Sequence, residues 1–314
     1  APRYFRCIPL GVEGGLIESN LPAYLLAPIG STDFVCLDAG TILAGLRVAR
    51  ANGCFSDIPM PPDCTDSIEG RVLRHHIKAF LITHTYIDHV AGLVMNSPAD
   101  SAKPIMALED TIEGLCQHVF NWVTWPNFAG EGGSQALAKY EPVILEPGEP
   151  ASVPGTVMRV EAHPLAHGAR VDSGAFIVDA NGHHVVYMGD TGPDRLEDQP
   201  TTQLLWERLV PLVRENRLQG VFIESSYPDG TPDDQLFSHL TPRWLMHAFQ
   251  QLAEMVDPQG PETALGGLTV VVTHIKPQLD TGEEVRDIVK RQLHERNDLG
   301  LRLIFAEQGR PFEL

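Results

Sequence analysis

Imidazole, phenol and carboxylate groups crowd into one short stretch, His84-x-Tyr86-x-Asp88-His89. The apolar run from Ala79 to Ile82 before it reads as a buried strand, and Val90 to Met95 behind it can start a helix. A strand that ends in His and Asp spaced one or two apart presents several metal ligands from a single turn. Imidazole and carboxylate suit Zn²⁺, or another first-row ion such as Mn²⁺ or Fe²⁺. The competing explanation is a polar strand-to-helix turn with Asp88 as the helix N-cap. Later partners weigh against it. His167, Asp190, Glu224 and His274 each follow an apolar run, and any one alone would more often be a cap or turn residue. His163 rivals His167, since both lie in His163-Pro-Leu-Ala-His167-Gly168.

The run His84-Thr-Tyr-Ile-Asp-His-Val-Ala-Gly-Leu-Val-Met-Asn-Ser-Pro98 resembles the class II cyclic-nucleotide phosphodiesterase signature. Within it lies a form of the His-x-His-x-Asp-His motif of the metallo-β-lactamase superfamily. Gly14 to Leu21 and Leu37 to Thr41 are similar to the N-terminal part of the same family. The resemblance implies an α/β fold, a four-layer αββα sandwich, and hydrolysis of 3′,5′-cyclic nucleotides to nucleoside 5′-monophosphates by metal-activated water. Carried over residue by residue, it puts His84 and His167 on a first metal, Asp88, His89 and His274 on a second, and Asp190 between them. It prefers His167 to His163 because Gly168 follows, as in the family's Ser-His-Gly pattern. Zn²⁺, one or two per chain, is the implied cofactor, with Mn²⁺ or Fe²⁺ as alternatives.

The leaving ribose oxygen needs a proton. His239, in Phe237-Ser-His-Leu-Thr-Pro242, is the candidate acid, with Glu224 as the carboxylate that orients and charges it. Asp88, His239 and Glu224 form the expected catalytic set. As an alternative, His239 is a neighbour of the N-cap of the helix beginning near Pro242. Tyr86 stands where the family has its second His. A phenol, with a pKa of about 10, ligates only as phenolate or as a weak neutral donor. Three readings stay open: a weakened or empty first site, a Tyr86-ligated harder metal, or a paralogue that binds ligand and turns over poorly. The rival reading is a metallo-hydrolase of the same fold acting on another ester, such as a different phosphodiester, a thioester or a lactone.

The elements that must carry these residues alternate between strands and helices. Strands are expected at Arg3–Leu10, Ala23–Pro28 and Phe34–Leu37, with a helix opening near Asp38 and running to about Ala51. Asp38 is explained by a turn-and-cap role, or by support to a metal site beside it. Residues 52 to 76 read as an irregular surface excursion. Asp110 to Asn121 reads as a helix, and Asn181-Gly182 as a hairpin turn. Trp122, Trp125 and Phe128, on a loop with Gly130, Gly132 and Gly133, suit a lid that stacks on a nucleobase. They equally suit a loop pinned by its own aromatic side chains. The whole chain, 1–314, is expected as one hydrolase domain with insertions at about 52–76 and 120–140.

The formal charge of −18 (23 basic minus 41 acidic) excludes nonspecific binding to nucleic-acid polymers or anionic membranes. The expected partner is a small cyclic nucleotide, and a homodimer is compatible with the chain. Cys54 and Cys64 bracket a Pro-rich loop and are open to pairing or to the reduced state. The start, Ala-Pro-Arg, fits a processed secretory precursor or a cytosolic chain without its initiator Met, so periplasm and cytoplasm both stand.

Overall fold

The computed structural model describes residues 2–129, 137, 139–168 and 172–314. The chain divides into two compact units, Ala1–Val12 with Glu18–Ala162 and Glu307–Leu314, and Glu13–Ile17 with His163–Ala306. Each unit carries its own hydrophobic core and one half of a mixed α/β architecture.

In the first unit the strands are β1 (Phe5–Gly11), β2 (Ala23–Pro28), β3 (Phe34–Leu37), β4 (Ile77–Leu81), β5 (Lys103–Ala107), β6 (Tyr140–Ile144) and, at the C-terminus, β14 (Phe312–Glu313). Their order is β14-β1-β2-β3-β4-β5-β6. Pairing is antiparallel from β14 through β3 and parallel from β3 to β6. The parallel strands β3 and β5 are buried at every position, which is why they read as continuous apolar runs rather than alternating ones. Helices α1 (Leu43–Ala51) and α3 (Ile87–Asn96) pack Leu46, Val90 and Leu93 onto Ile8, Leu25, Phe34 and Phe80.

In the second unit β9 (Asp172–Ala180), β10 (His183–Met188), β11 (Leu218–Glu224), β12 (Thr269–Thr273) and β13 (Arg302–Phe305) lie in the order β13-β12-β11-β10-β9. The same sheet continues through β8 (Arg159–Ala166), the strand in which the chain passes from one unit to the next, to β7 (Ala151–Ser152). Asn181 and Gly182, both with positive φ (53° and 84°), make the tight turn that pairs Ala180 with His183. Helices α5 (Thr201–Arg214), α6 (Pro242–Val256) and α8 (Val285–Glu295) cover the core, where Trp206 is wholly buried and donates its indole N–H to Ala248 O at 2.8 Å. That bond removes the cost of burying a bare donor.

Several boundaries depart from the sequence reading. The helix after β3 begins at Leu43, because Asp38 takes φ +53° and the chain must turn before it can wind. Residues 68–76 are helical, α2 (Ile68–Arg71) running into a π-helical turn at Val72–His76 whose Val72 and Leu73 enter the core. Two buried apolar residues in nine leave too little periodicity to mark that turn. The helix expected at 110–121 is α4 (Glu109–Gly114) continued by a π-helical turn at Leu115–Val119, with Leu108 as its N-cap. Gly130, Gly132 and Gly133 lie outside the described residues. Cys54 and Cys64 are free thiols. None of the described helices is long and apolar enough to cross a membrane.

Candidate active site

In the first unit the site residues follow the end of β4. His84 and His89 are buried (0% and 1% exposed), with ring centroids 4.2 Å apart. His89 sits in the first turns of α3, whose N-cap is Tyr86. Asp88 is therefore inside the helix rather than its cap, and its carboxylate lies 3.7 Å from His89 Nε2. Gly40 makes this packing close, since a Cβ there would meet the Asp88 carbonyl oxygen at 2.0 Å.

Asp38 holds this half together. Its Oδ2 takes His89 Nδ1 at 2.8 Å, and its two oxygens take the Thr83 hydroxyl at 3.0 Å each. Thr83 Oγ1 also lies 2.9 Å from His84 Nδ1. The single hydroxyl proton of Thr83 is given to the carboxylate, so His84 Nδ1 must be the donor to Thr83. Both imidazoles thus carry a proton on Nδ1, which in the neutral ring leaves Nε2 as the ligand atom.

The second unit repeats the device. Glu224, at the end of β11 and 1% exposed, accepts from Thr191 N (2.9 Å), Leu240 N (3.2 Å), His239 Nδ1 (2.9 Å) and the Ser226 hydroxyl. Ser226 Oγ in turn lies 2.9 Å from His274 Nδ1. With the Ser226 proton given to Glu224, His274 Nδ1 is the donor to Ser226. His167 donates Nδ1 to Ser238 O at 3.0 Å and keeps the same tautomer. Its rival His163 lies inside β8 and is half-buried, whereas His167 follows the strand end.

Two of those Nε2 atoms face one carboxylate oxygen. Asp190 Oδ2 is 3.2 Å from His274 Nε2 and 3.9 Å from His167 Nε2. Neighbouring ligand atoms of a tetrahedral Zn²⁺ site with bonds of about 2.0–2.1 Å stand about 3.3–3.4 Å apart. A divalent cation among these atoms would take the lone pairs of neutral imidazoles together with the carboxylate. The donor set in each unit therefore fits a divalent metal. Glu224, His239 and His274 also offer ligand atoms within 4.8 Å of one another. That trio does not suit a metal, because four donors already fill the roughly four lone-pair sites of Glu224.

Electrostatics separate the imidazoles by role. Burial pushes His167 below its ordinary pKa, only partly offset by Asp190, so it is neutral as a ligand must be. Burial pushes His239 the same way, but the Glu224 charge, its hydrogen bond and Asp190 outweigh it and raise the pKa. Tyr227, whose ring meets His239 edge-on at 5.8 Å, is kept protonated by burial, Glu224 and Asp190.

The remaining candidates are more dispersed. Tyr86 is 44% exposed and meets His84 edge-on at 5.0 Å. Phe128 is buried in the first unit's core, with Lys139 Nζ 5.0 Å from its ring centre. Trp125 is half-buried and donates to Ser97 Oγ at 2.9 Å. Trp122 is 50% exposed, with φ +68°. Sequence reasoning missed Thr83 and Ser226, whose only mark is that each adjoins or nearly adjoins a candidate residue.

The model of the cAMP phosphodiesterases class-II matches residues 5–309. A 3′,5′-cyclic-nucleotide phosphodiesterase of Aliivibrio fischeri is 40% identical over 97% of this chain and 91% of its own. A probable 3′,5′-cyclic-nucleotide phosphodiesterase of Yersinia pestis is 35% identical over 97% and 88%. Among solved structures, unliganded yeast PDE1 is similar in fold, with a TM-score of 0.83 at 23% identity and full coverage of both chains. The metallo-β-lactamase fold protein YhfI of Bacillus subtilis has a TM-score of 0.61 at 14% identity, covering 99% of this chain and 100% of its own. The fold is the metallo-β-lactamase fold, and the chain belongs to the class-II cAMP phosphodiesterases.

Proposed function

We propose that the chain hydrolyses 3′,5′-cyclic nucleotides to nucleoside 5′-monophosphates, with His239 as the acid for the leaving ribose oxygen. The observation that carries this is the division of labour around Glu224. One carboxylate charges His239 directly and, through Ser226, holds His274 by its Nδ1. The metal ligands are His84, Asp88, His89, His167, Asp190 and His274. Imidazole-rich donors favour Zn²⁺, with Mn²⁺ and Fe²⁺ as the alternatives. Bound divalent cations supply positive charge to the phosphate and lower the pKa of a water.

The chain's own residues move the protons. Water oxygen bonds to phosphorus as the P–O3′ bond breaks, and O3′ takes the proton of His239 Nε2. Glu224 stabilises the imidazolium before transfer and keeps the ring oriented through Nδ1 afterwards. Asp88, whose side chain is 21% exposed, passes the proton lost by the water to solvent. Tyr86 packs against His84 and leaves the first metal one imidazole short, so that metal binds more weakly than the second.

The test is product-resolved turnover of 3′,5′-cyclic AMP by Zn²⁺- or Mn²⁺-loaded protein beside Tyr86→His. Release of 5′-AMP by both supports the reading. Release by the variant alone shows a scaffold silenced by Tyr86, and release by neither directs the search to other esters.

A further inference from the structure

The segment that delivers His239 also throws an aromatic side chain into the open. Phe237 is 74% exposed, yet it and Ser238 both take left-handed backbone conformations (φ 50° and 59°), which residues with a Cβ avoid. Two consecutive positions of this kind persist only where the surroundings over-determine them. Here they do. Leu236 and Leu240 on either side are buried (1% and 2%), His239 N bonds to Leu236 O at 3.0 Å, and Leu240 N bonds to Glu224 at 3.2 Å. Ser238 O accepts from His167 Nδ1 at 3.0 Å. An exposed phenylalanine on a mobile loop would need no explanation. One clamped in place next to the acid does.

The chemistry says what such a ring could meet. The acid must reach O3′, and O3′ and the glycosidic nitrogen are carried by the same ribose ring. An aromatic two residues before the acid has its Cα at most about 7 Å from that of the acid, the scale of one sugar. Of the aromatics expected on a lid, Phe128 is buried in the first unit's core, and Trp125 is half-buried with its indole N–H given to Ser97, which leaves Trp122 as the exposed one of the three.

We propose that Phe237 is the platform on which the substrate's nucleobase stacks, held by the Phe237–Ser238 turn so that binding the base places O3′ at His239. This rests on the phosphodiesterase reading and on His239 as its acid. A π-face accepts any base, so Phe237 serves affinity for a nucleobase rather than a choice of adenine over guanine.

The test compares Phe237→Ala and Phe237→Trp with the unchanged protein on two substrates, 3′,5′-cyclic AMP and the base-less methyl riboside 3′,5′-cyclic phosphate. Phe237→Ala should raise KM for cyclic AMP roughly 5- to 150-fold. It should leave metal content and kcat/KM on the base-less ester unchanged, and Phe237→Trp should restore the wild-type KM. A second readout needs no turnover: 5′-AMP should quench the fluorescence of the indole introduced by Phe237→Trp, beyond its effect on the wild type. Equal losses on both substrates, an unchanged KM, absence of the added quench, or a change of oligomeric state in Phe237→Ala would each overturn the proposal. If wild-type protein turns over neither substrate, the phosphodiesterase reading fails, and the quench alone decides whether Phe237 meets a base.

Discussion

The Ser226 hydroxyl gives its proton to Glu224 and receives that of His274 Nδ1, so the carboxylate proposed to charge His239 also orients a proposed metal ligand through one oxygen atom. Removing that oxygen separates the two duties of Glu224. In Ser226→Ala, His274 loses its fixed tautomer while the direct His239–Glu224 bond stays. Zn²⁺ affinity, measured by competition with a chromophoric chelator, should fall about 10- to 100-fold. Turnover at saturating metal should change far less. An unchanged affinity would show that Ser226 does not orient the ligand.

Asp38 does the corresponding work in the first unit, with His89 directly and His84 through Thr83. Asp38→Asn should fold, because asparagine tolerates the φ of +53° better than other side chains with a Cβ. Its amide cannot match the carboxylate as acceptor for both donors, so metal affinity should fall by a similar 10- to 100-fold. Wild-type affinity with a wild-type melting temperature would contradict this.

The pH profile follows from the raised pKa of His239. The acid must be protonated, so activity is present below its folded pKa and is lost as pH rises through it. Glu224→Gln removes the charge that holds the proton, and the alkaline limb of kcat should move to lower pH, measured at saturating metal. A limb that stays in place would remove His239 as the titrating acid.

Stability of the first unit has its own buried charge pair. Lys103 Nζ lies 2.8 Å from Asp100, with side chains 3% and 0% exposed, and Tyr140 donates its hydroxyl to the same carboxylate at 2.8 Å. Asp100→Ala leaves the buried ammonium without its counter-charge, though still bonded to Leu73 O, and takes the acceptor from the phenol; it should cost about 3–5 kcal/mol in denaturant unfolding. A loss below about 1 kcal/mol would show the pair to be screened as a surface pair is.

How much of this could be read from the sequence varies with how local each feature is. The strand-end positions of the proposed ligands His84, His167, Asp190 and His274 were legible because each follows an apolar strand. The central strands were legible because burial on both faces makes their runs continuous. Asp38 was undervalued because a tight turn explains an aspartate by itself; its bonds to Thr83 and His89 cross 45 and 51 residues of chain. Ser226 looked like any serine after a strand, since a relay exists only once Glu224 and His274 are brought to it. The turn at Phe237–Ser238 lacked the glycine that ordinarily announces a left-handed residue.

The most direct test of the account is hydrolysis of 3′,5′-cyclic AMP in oxygen-18 water by the metal-loaded protein, with the chelator-stripped protein as control. Attack at phosphorus with departure of O3′ predicts 5′-AMP carrying the label in its phosphate, and no product after stripping. Label in the ribose, 3′-AMP as the product, or undiminished turnover without metal would contradict it.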